Sequence, residues 1–332
     1  MSLSNQKYSE LIDSIDSTLQ KARENTIKAV NNELVKANWK IGQYIVEYEQ
    51  QGKERADYGS ALLSNLAKDL KLKYGKGSKS SIYLCRQIYI KYPIFQTVSG
   101  KLSWSHFAEL LTVSDDMAGS FYEQQSVKEN WGAREMKRQI DSALFQRLAL
   151  SKDKNGVLAL SEKGQEIITS KDIIKDPYIF EFLELPMSAI VKEKELEKKL
   201  IDNLQQFLLE LGKGFSFIKR QFKITLDNEH NFIDLVFYHR ILKCFVLIEL
   251  KTKKVKHQDI GQMNLYLNYF KEEENTEGDN EPIGIIIAAD KHEFTVKYAT
   301  GGLTNKIFVS KYQLYLPDQK QLEEKVKEIF ER

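Results

Sequence analysis

Three charged residues sit where the surrounding sequence makes charge costly. Two stretches read as apolar strands, Phe232-Ile233-Asp234-Leu235-Val236-Phe237-Tyr238 and Cys244-Phe245-Val246-Leu247-Ile248-Glu249-Leu250-Lys251, yet they carry Asp234, Glu249 and Lys251. A carboxylate or ammonium inside such a strand is expensive unless it pairs or meets a metal ion. Side chains alternate across a strand, so Glu249 and Lys251 share a face with Phe245 and Leu247. In a hairpin about residues 240–243, opposed residues have numbers of constant sum, and Asp234 with Glu249 share theirs with His239 and Cys244. That register sets the two carboxylates face to face, Cβ atoms ~5 Å apart. Like charges so placed raise one pKa or recruit a cation. A hard divalent cation with oxygen ligands, Mg²⁺ (or Mn²⁺), is the natural relief. Lys251, one pleat further on, would orient a water or stabilise charge developing on a phosphate. The same charges also suit a structural salt bridge at a sheet edge, and the pattern by itself leaves both readings open. The register rests on the alternation, since Arg240-Ile241-Leu242-Lys243 lacks an Asn-Gly type signal.

The elements around these residues predict an α+β multidomain chain. An all-α N-terminal domain spans 1–148, a mixed connector 149–186, and a C-terminal α/β domain 187–332. Helical spacing appears at 34–51, 61–72, 79–92, 105–112, 117–128 and 133–145. Ser78 is placed to cap the third of these. From residue 191 the pattern becomes a helix over 193–211, strands near 215–226, 231–238 and 243–251, a helix over 259–270 and a strand over 282–289. A short helix and strand over 294–309 would close the sheet.

Composition bounds the remainder. Hydrophobic residues make up 42% of the 332, enough for a packed core, and the net charge of +2 favours no partner class. Cys85 and Cys244 lack metal-ligand spacing and read as inert core thiols of a reducing compartment. His239 and His257 read as surface or turn residues. The start of the chain is polar, without a signal region. No apolar run approaches the ~18 residues that cross a bilayer. The expectation is a cytoplasmic protein with no membrane partner.

In the N-terminal half, 61–72, the Gly-rich turn at 74–77 and 79–92 form a helix-turn-helix-like unit. Its outward residues would be Lys79, Ser80, Tyr83, Arg86 and Gln87, with Lys73, Lys76 and Lys91 nearby, types suited to phosphate and base-edge contacts. A helical bundle with a solvated basic face fits the same residues. Trp104 and Trp131 read as core or interface anchors. Glu197 borders the buried stripe of its helix, and Gln221 could reach substrate from the first strand or simply be exposed.

Asp234 followed by Glu249-Leu250-Lys251, in helix–strand–strand–strand–helix–strand order, resembles the PD-(D/E)XK nuclease superfamily, with its restriction-endonuclease-like fold. The words Phe232 to Arg240, Ile248-Glu249-Leu250-Lys251, Gly261-Gln262-Met263-Asn264-Leu265-Tyr266-Leu267 and Ile283-Gly284-Ile285-Ile286 resemble the YhcG-type bacterial nuclease family. That family's N-terminal partner domain of unknown function is matched by residues 52–59, by Leu102-Ser103-Trp104-Ser105-His106 and by Glu129-Asn130-Trp131. The likeness covers nearly the whole chain. It implies that Asp234 and Glu249 ligate Mg²⁺ with the Leu250 carbonyl, that Lys251 is the catalytic lysine, and that Gln262 positions water or phosphate. It further implies that Glu197 lies near the metal. Ile233, not proline, precedes the aspartate, a departure common in the superfamily. The function this implies is Mg²⁺-dependent hydrolysis of phosphodiesters, DNA favoured, in defence, mobile elements or DNA processing, with a homodimer or higher homo-oligomer as the assembly. The rivals are a nucleic-acid-binding or complex-assembly protein that does not cut, and an RNA-directed nuclease.

Overall fold

The computed structural model describes residues 3–51, 58–75, 78–94, 102–150, 152–185, 192–226, 228–291 and 300–331. Residues 52–57 of the first N-terminal word, 76–77 of the expected turn, the connector's end at 186 and 294–299 of the expected closing helix lie outside these. The chain divides into two compact units, Met1–Lys137 and Arg138–Arg332.

The first unit is helical: α1 (Leu3–Gln51), α2 (Tyr58–Tyr74), α3 (Lys79–Lys91), α4 (Trp104–Leu110) and α5 (Asp116–Glu129). Helix α1 begins at Leu3, not at 34. Its first half is rich in Ser, Thr and Asn, which mask the helical signal. The hydroxyls of Ser14, Thr18 and Thr26 bond to carbonyls four residues back, so they cost the helix little. Ile45, Leu63 and Ile82 join α1, α2 and α3 in one cluster. At Gly42 a Cβ would lie 1.9 Å from the Cys85 carbonyl oxygen, so only glycine lets α1 and α3 approach this closely. Ser78 caps α3 as expected, its hydroxyl accepting from the Ser81 amide at 3.1 Å.

Helix α6 (Ala133–Asp141) carries the division, and α7 (Leu144–Ala149) and α8 (Lys154–Lys163) follow. The single helix expected over 133–145 is interrupted because Ala143 adopts the left-handed conformation (φ 52°). The second unit then runs β1 (Tyr178–Ile179), α9 (Glu193–Asp202), α10 (Leu204–Leu211), β2 (Phe215–Leu226), β3 (Glu229–His239), β4 (Cys244–Lys254), α11 (His257–Tyr269), β5 (Ile283–Asp290), β6 (Lys306–Gln313) and α12 (Gln319–Glu331). The helix expected over 193–211 is two helices, because Asn203 leaves helical geometry and its amide bonds to the Lys199 carbonyl at 3.0 Å.

The sheet order is β1-β6-β5-β4-β3-β2, antiparallel across β2, β3 and β4 and parallel from β4 to β1. One face packs on α9 and α10 through Leu196, Leu200, Phe207, Leu235, Phe237 and Ile248. The other packs on α11 through Val236, Leu247, Met263, Tyr266, Leu267 and Ile286. Burial on both faces explains why β5 is a near-continuous isoleucine run. Residues of the expected connector enter this core: Ile173, Tyr178, Phe180 and Leu183 are buried with it, and β1 extends the sheet. Among the described residues no helix is long and apolar enough to cross a membrane. Both cysteines are buried and free, and burial pushes each thiol up to about 11.

His239 closes β3 and is fully buried. Its Nε2 lies 3.1 Å from the Lys213 carbonyl, and its Nδ1 accepts the Leu242 amide at 3.1 Å, which fixes a neutral ring. Burial holds its pKa below the ordinary histidine value, with Arg240 adding to the effect. The unfolded chain therefore takes up this proton more readily than the folded one. The stabilisation is complete above the unfolded pKa of about 6.5 and is eroded as pH falls through that value towards the lower folded one. Unfolding midpoints measured against pH are expected to show a loss on acidification that is smaller in a His239→Leu variant.

Candidate active site

The β3–β4 register is the one the alternation predicted: Leu235 pairs Ile248, Val236 pairs Leu247, and so on to His239 with Cys244. The paired ladder ends at Leu235. One step beyond it the strands part, and the groups released there are taken up by carboxylates. The Asp234 amide donates to Glu249 Oε1 at 3.2 Å, and the Leu250 amide donates to Asp234 Oδ2 at 2.8 Å. Each acid thus holds the other's strand where backbone pairing stops.

Glu249 is 4% exposed. Burial and then the Asp234 charge push its carboxyl well above the ordinary carboxylate range, against the opposing pull of Lys251. Lys251 Nζ stands 3.4 Å from Glu249 Oε2 and 3.7 Å from Asp259 Oδ1. Burial works to lower its pKa, but Glu249, Glu193, Asp259 and Asp234 outweigh it and the ammonium is held above its usual value. Burial likewise raises Asp234, opposed by the Leu250 amide and Lys251.

Glu197 is buried on α9 and belongs to the same cluster. Its Oε2 accepts from Gln221 Nε2 at 2.8 Å, and the same amide donates to Asp234 Oδ1 at 3.0 Å. Its Oε1 is buried without a hydrogen-bond partner, Arg220 Nε standing 3.9 Å away. Burial first, then Asp234, raises its pKa. Gln221, which the sequence left either within reach of substrate or simply exposed, bridges two acids. It has φ +46° inside a strand, a conformation that costs free energy in a non-glycine residue and aims the side chain at the cluster. Gln262 donates to the Tyr266 hydroxyl, which in turn lies 3.4 Å from the Phe232 carbonyl. Tyr266 feels Glu249, and burial together with that charge pushes it up to about 12.

Several residues of this locality escaped the sequence reading. Glu193 accepts from the Thr252 amide at 3.3 Å and acts on Lys251 and Asp234 through its charge. Lys194, Lys198 and Arg220, with Glu197 and Gln221, line a cleft of about 310 Å³. Lys194 and Lys198 stand four residues apart on α9, a helical spacing that was present but indistinguishable from an ordinary solvated face.

The first unit departs from expectation at Arg86 and Lys91. Arg86 Nε is engaged with both Glu49 oxygens, at 3.0 and 2.8 Å. Lys91 Nζ donates to the Leu110 and Val113 carbonyls. Neither is the free outward cation the pattern suggested, because α3 turns that face towards α1 and the segment after α4. Lys79 and Tyr83 are exposed, and Gln87 is half-buried. Lys76 lies outside the described residues.

Among the described residues no group of three His, Cys, Asp or Glu side chains is close enough to hold a metal ion. The donor chemistry nevertheless fits a hard cation: all-oxygen ligands, an Asp234 charge that raises the pKa of both Glu249 and Glu197, and one buried carboxylate oxygen with no hydrogen-bond partner among the described residues.

Residues 171–327 match the family described as YhcG PDDEXK nuclease domain, and residues 14–147 match the DUF1016 N-terminal domain. A protein of Escherichia coli (strain K12) named "Putative nuclease YhcG" is 35% identical, over 95% of this chain and 92% of that one. Among solved structures, a repair endonuclease from Pyrococcus abyssi aligns with a TM-score of 0.28 and 22% identity, over 40% of this chain and 50% of that one. An EndoMS–dsDNA2 complex aligns with a TM-score of 0.28 and 16% identity over the same shares. The chain spans about half the length of these two structures, and a likeness so slight says nothing of what this chain binds. The two family matches, together with the relative that spans nearly all of it, place the chain in the YhcG family, with a DUF1016 N-terminal domain ahead of a PDDEXK nuclease domain.

Proposed function

We propose that this chain is a metal-dependent nuclease that hydrolyses phosphodiester bonds, in DNA before RNA, at the cluster of Asp234, Glu249 and Lys251. The observation that carries the proposal is the meeting of two acids and an ammonium at the point where β3 and β4 part. A strand residue's N–H and C=O leave on the same side. The Leu250 carbonyl therefore faces the gap beside Asp234, past the last β3–β4 pair. Asp234, Glu249 and the Leu250 carbonyl would hold Mg²⁺ or Mn²⁺, with Glu197 close by. When bound, the ion supplies Lewis-acid stabilisation of charge on the phosphate.

The chain's own groups do the rest. Lys251, kept protonated by the acids around it, places positive charge beside the phosphate oxygens and orients an attacking water. Gln221 holds the Asp234 and Glu197 carboxylates in one orientation. Gln262, through Tyr266, fixes the wall of α11 against β3. Lys194, Lys198 and Arg220 at the cleft seat the phosphates of the strand being cut. In the first unit, Lys79 and Tyr83 are the exposed candidates for nucleic-acid contact, and residues 1–148 serve as the recognition or assembly domain.

The deciding experiment incubates purified protein with double-stranded, single-stranded and branched DNA and with RNA, each with Mg²⁺, Mn²⁺ or EDTA. Cutting with either metal and none with EDTA is expected. No cutting of any substrate, with salt-sensitive binding intact, would overturn the catalytic reading. A second expectation concerns the cleft. Alanine at Lys194, Lys198 and Arg220 together should raise KM about tenfold or more, flatten its salt dependence and leave kcat within a few-fold, because these side chains bind phosphate without entering the chemistry.

A further inference from the structure

Among the described residues, nothing packs on the first half of α1. Every residue from 8 to 30 is exposed, and the side-chain bonds of Ser14, Thr18, Gln20 and Thr26 all return to the helix itself. Leu11, Ile12, Ile15, Leu19, Ile27 and Val30 lie open, each between 47% and 61% exposed. A helix of this length has no tertiary packing to sustain it, and most helical stability in proteins comes from such packing. Tyr8, Ile12, Ile15, Leu19, Ala22 and Thr26 follow a spacing of four and three residues, the repeat of a coiled-coil seam.

We propose that this segment pairs with the same segment of a second copy of the chain as an antiparallel coiled coil. Charge decides both the occupant and the direction. Between residues 8 and 19 the helix carries Glu10, Asp13 and Asp16 and no cation; between 20 and 30 it carries Lys21, Arg23 and Lys28 against Glu24 alone. A parallel pair would set acid against acid along its length. An antiparallel pair sets each acidic half on the partner's basic half.

The side chains also mesh in that direction. With Leu19 opposite the partner's Ala22, Ile15 meets Thr26 and Ile12 meets Ala29, each layer matching a large residue with a small one. The Thr26 hydroxyl is already spent on the Ala22 carbonyl at 2.9 Å, so it brings no unmet donor into the seam. In the same register Asp16, which flanks the seam, lies beside Arg23 of the other copy, twice per dimer. The pairing is independent of the proposed cleavage activity.

Light scattering on the eluting full-length chain tests this. A dimer is expected, and Ile15→Lys with Leu19→Lys should convert it to monomer. Asp16→Arg alone and Arg23→Asp alone should each raise the dimer Kd about tenfold, since two pairs turn from attractive to repulsive. The two reversals combined should return it to near the starting value. These charge variants are fully exposed and report on the contact even where the lysine pair frays the helix. A monomeric wild-type chain would overturn the proposal, as would a dimer indifferent to the lysine pair. Reversals that do not rescue one another would overturn the antiparallel register.

Discussion

Glu249→Gln is expected to reduce cleavage by about 10³-fold or more while leaving the protein folded. The magnitude follows from losing a ligand whose ion contributes several kcal/mol of transition-state stabilisation. The sparing of the fold follows from electrostatics. Burial and Asp234 already drive the Glu249 carboxyl towards its neutral form, so a neutral isostere removes repulsion rather than a needed charge. Glutamine still offers its carbonyl to the Asp234 amide. Lys251→Met should lower cleavage by ~10²–10⁴ with an undiminished melting temperature, the usual range for losing one positioned catalytic group. Paired measurements of rate and melting temperature separate these roles from a structural one. Wild-type cutting by Glu249→Gln would remove this glutamate from the mechanism, and a collapsed melting temperature would return the charges to a structural salt bridge.

The second large effect lies away from this cluster. Glu210→Ala should destabilise the second unit by ~3–5 kcal/mol, measured by denaturant unfolding. Glu210 and Arg147 are both completely buried and meet at 2.7 Å. Arg138 approaches the same carboxylate at 3.6 Å, Lys175 Nζ donates to the Glu210 carbonyl, and the Ile179 amide donates to Oε1 at 2.9 Å. Burial would raise the carboxyl, but Arg147, Lys175 and Arg138 prevail and hold it below the ordinary range. Removing it strands Arg147, which keeps only the Ser142 and Pro177 oxygens as acceptors. An unfolding free energy within about 1 kcal/mol of wild type would show that water or a neighbouring acid replaces Glu210. Paired apolar substitution at Arg147 and Glu210 should not restore stability fully, since Lys175 and Arg138 would still face the gap.

The sequence by itself determined what obeys local rules. A period of two fixed which face Glu249 and Lys251 occupy, and counting across a short unbulged hairpin set the β3–β4 register as well. β2 was legible residue for residue, and the Ser78 cap was read from the capping preference of serine. The chain's affiliation was legible in its words. Failures came where a distant contact overrides a local pattern. The helices over 133–145 and 193–211 break at Ala143 and Asn203, and no periodicity announces either break. Arg86 carried the pattern of a recognition helix, but α1 supplies Glu49 and consumes its charge. Only the tertiary structure decided that Gln221 bridges Asp234 and Glu197, that Lys194, Lys198 and Arg220 share a cleft with them, and that the β3–β4 ladder ends one residue before its carboxylates. The physical reason is common to all of these. Alternation along a strand states which way a side chain points, whereas the free energy of a charge depends on partners brought from elsewhere in the chain, and those are set by the packing of whole elements.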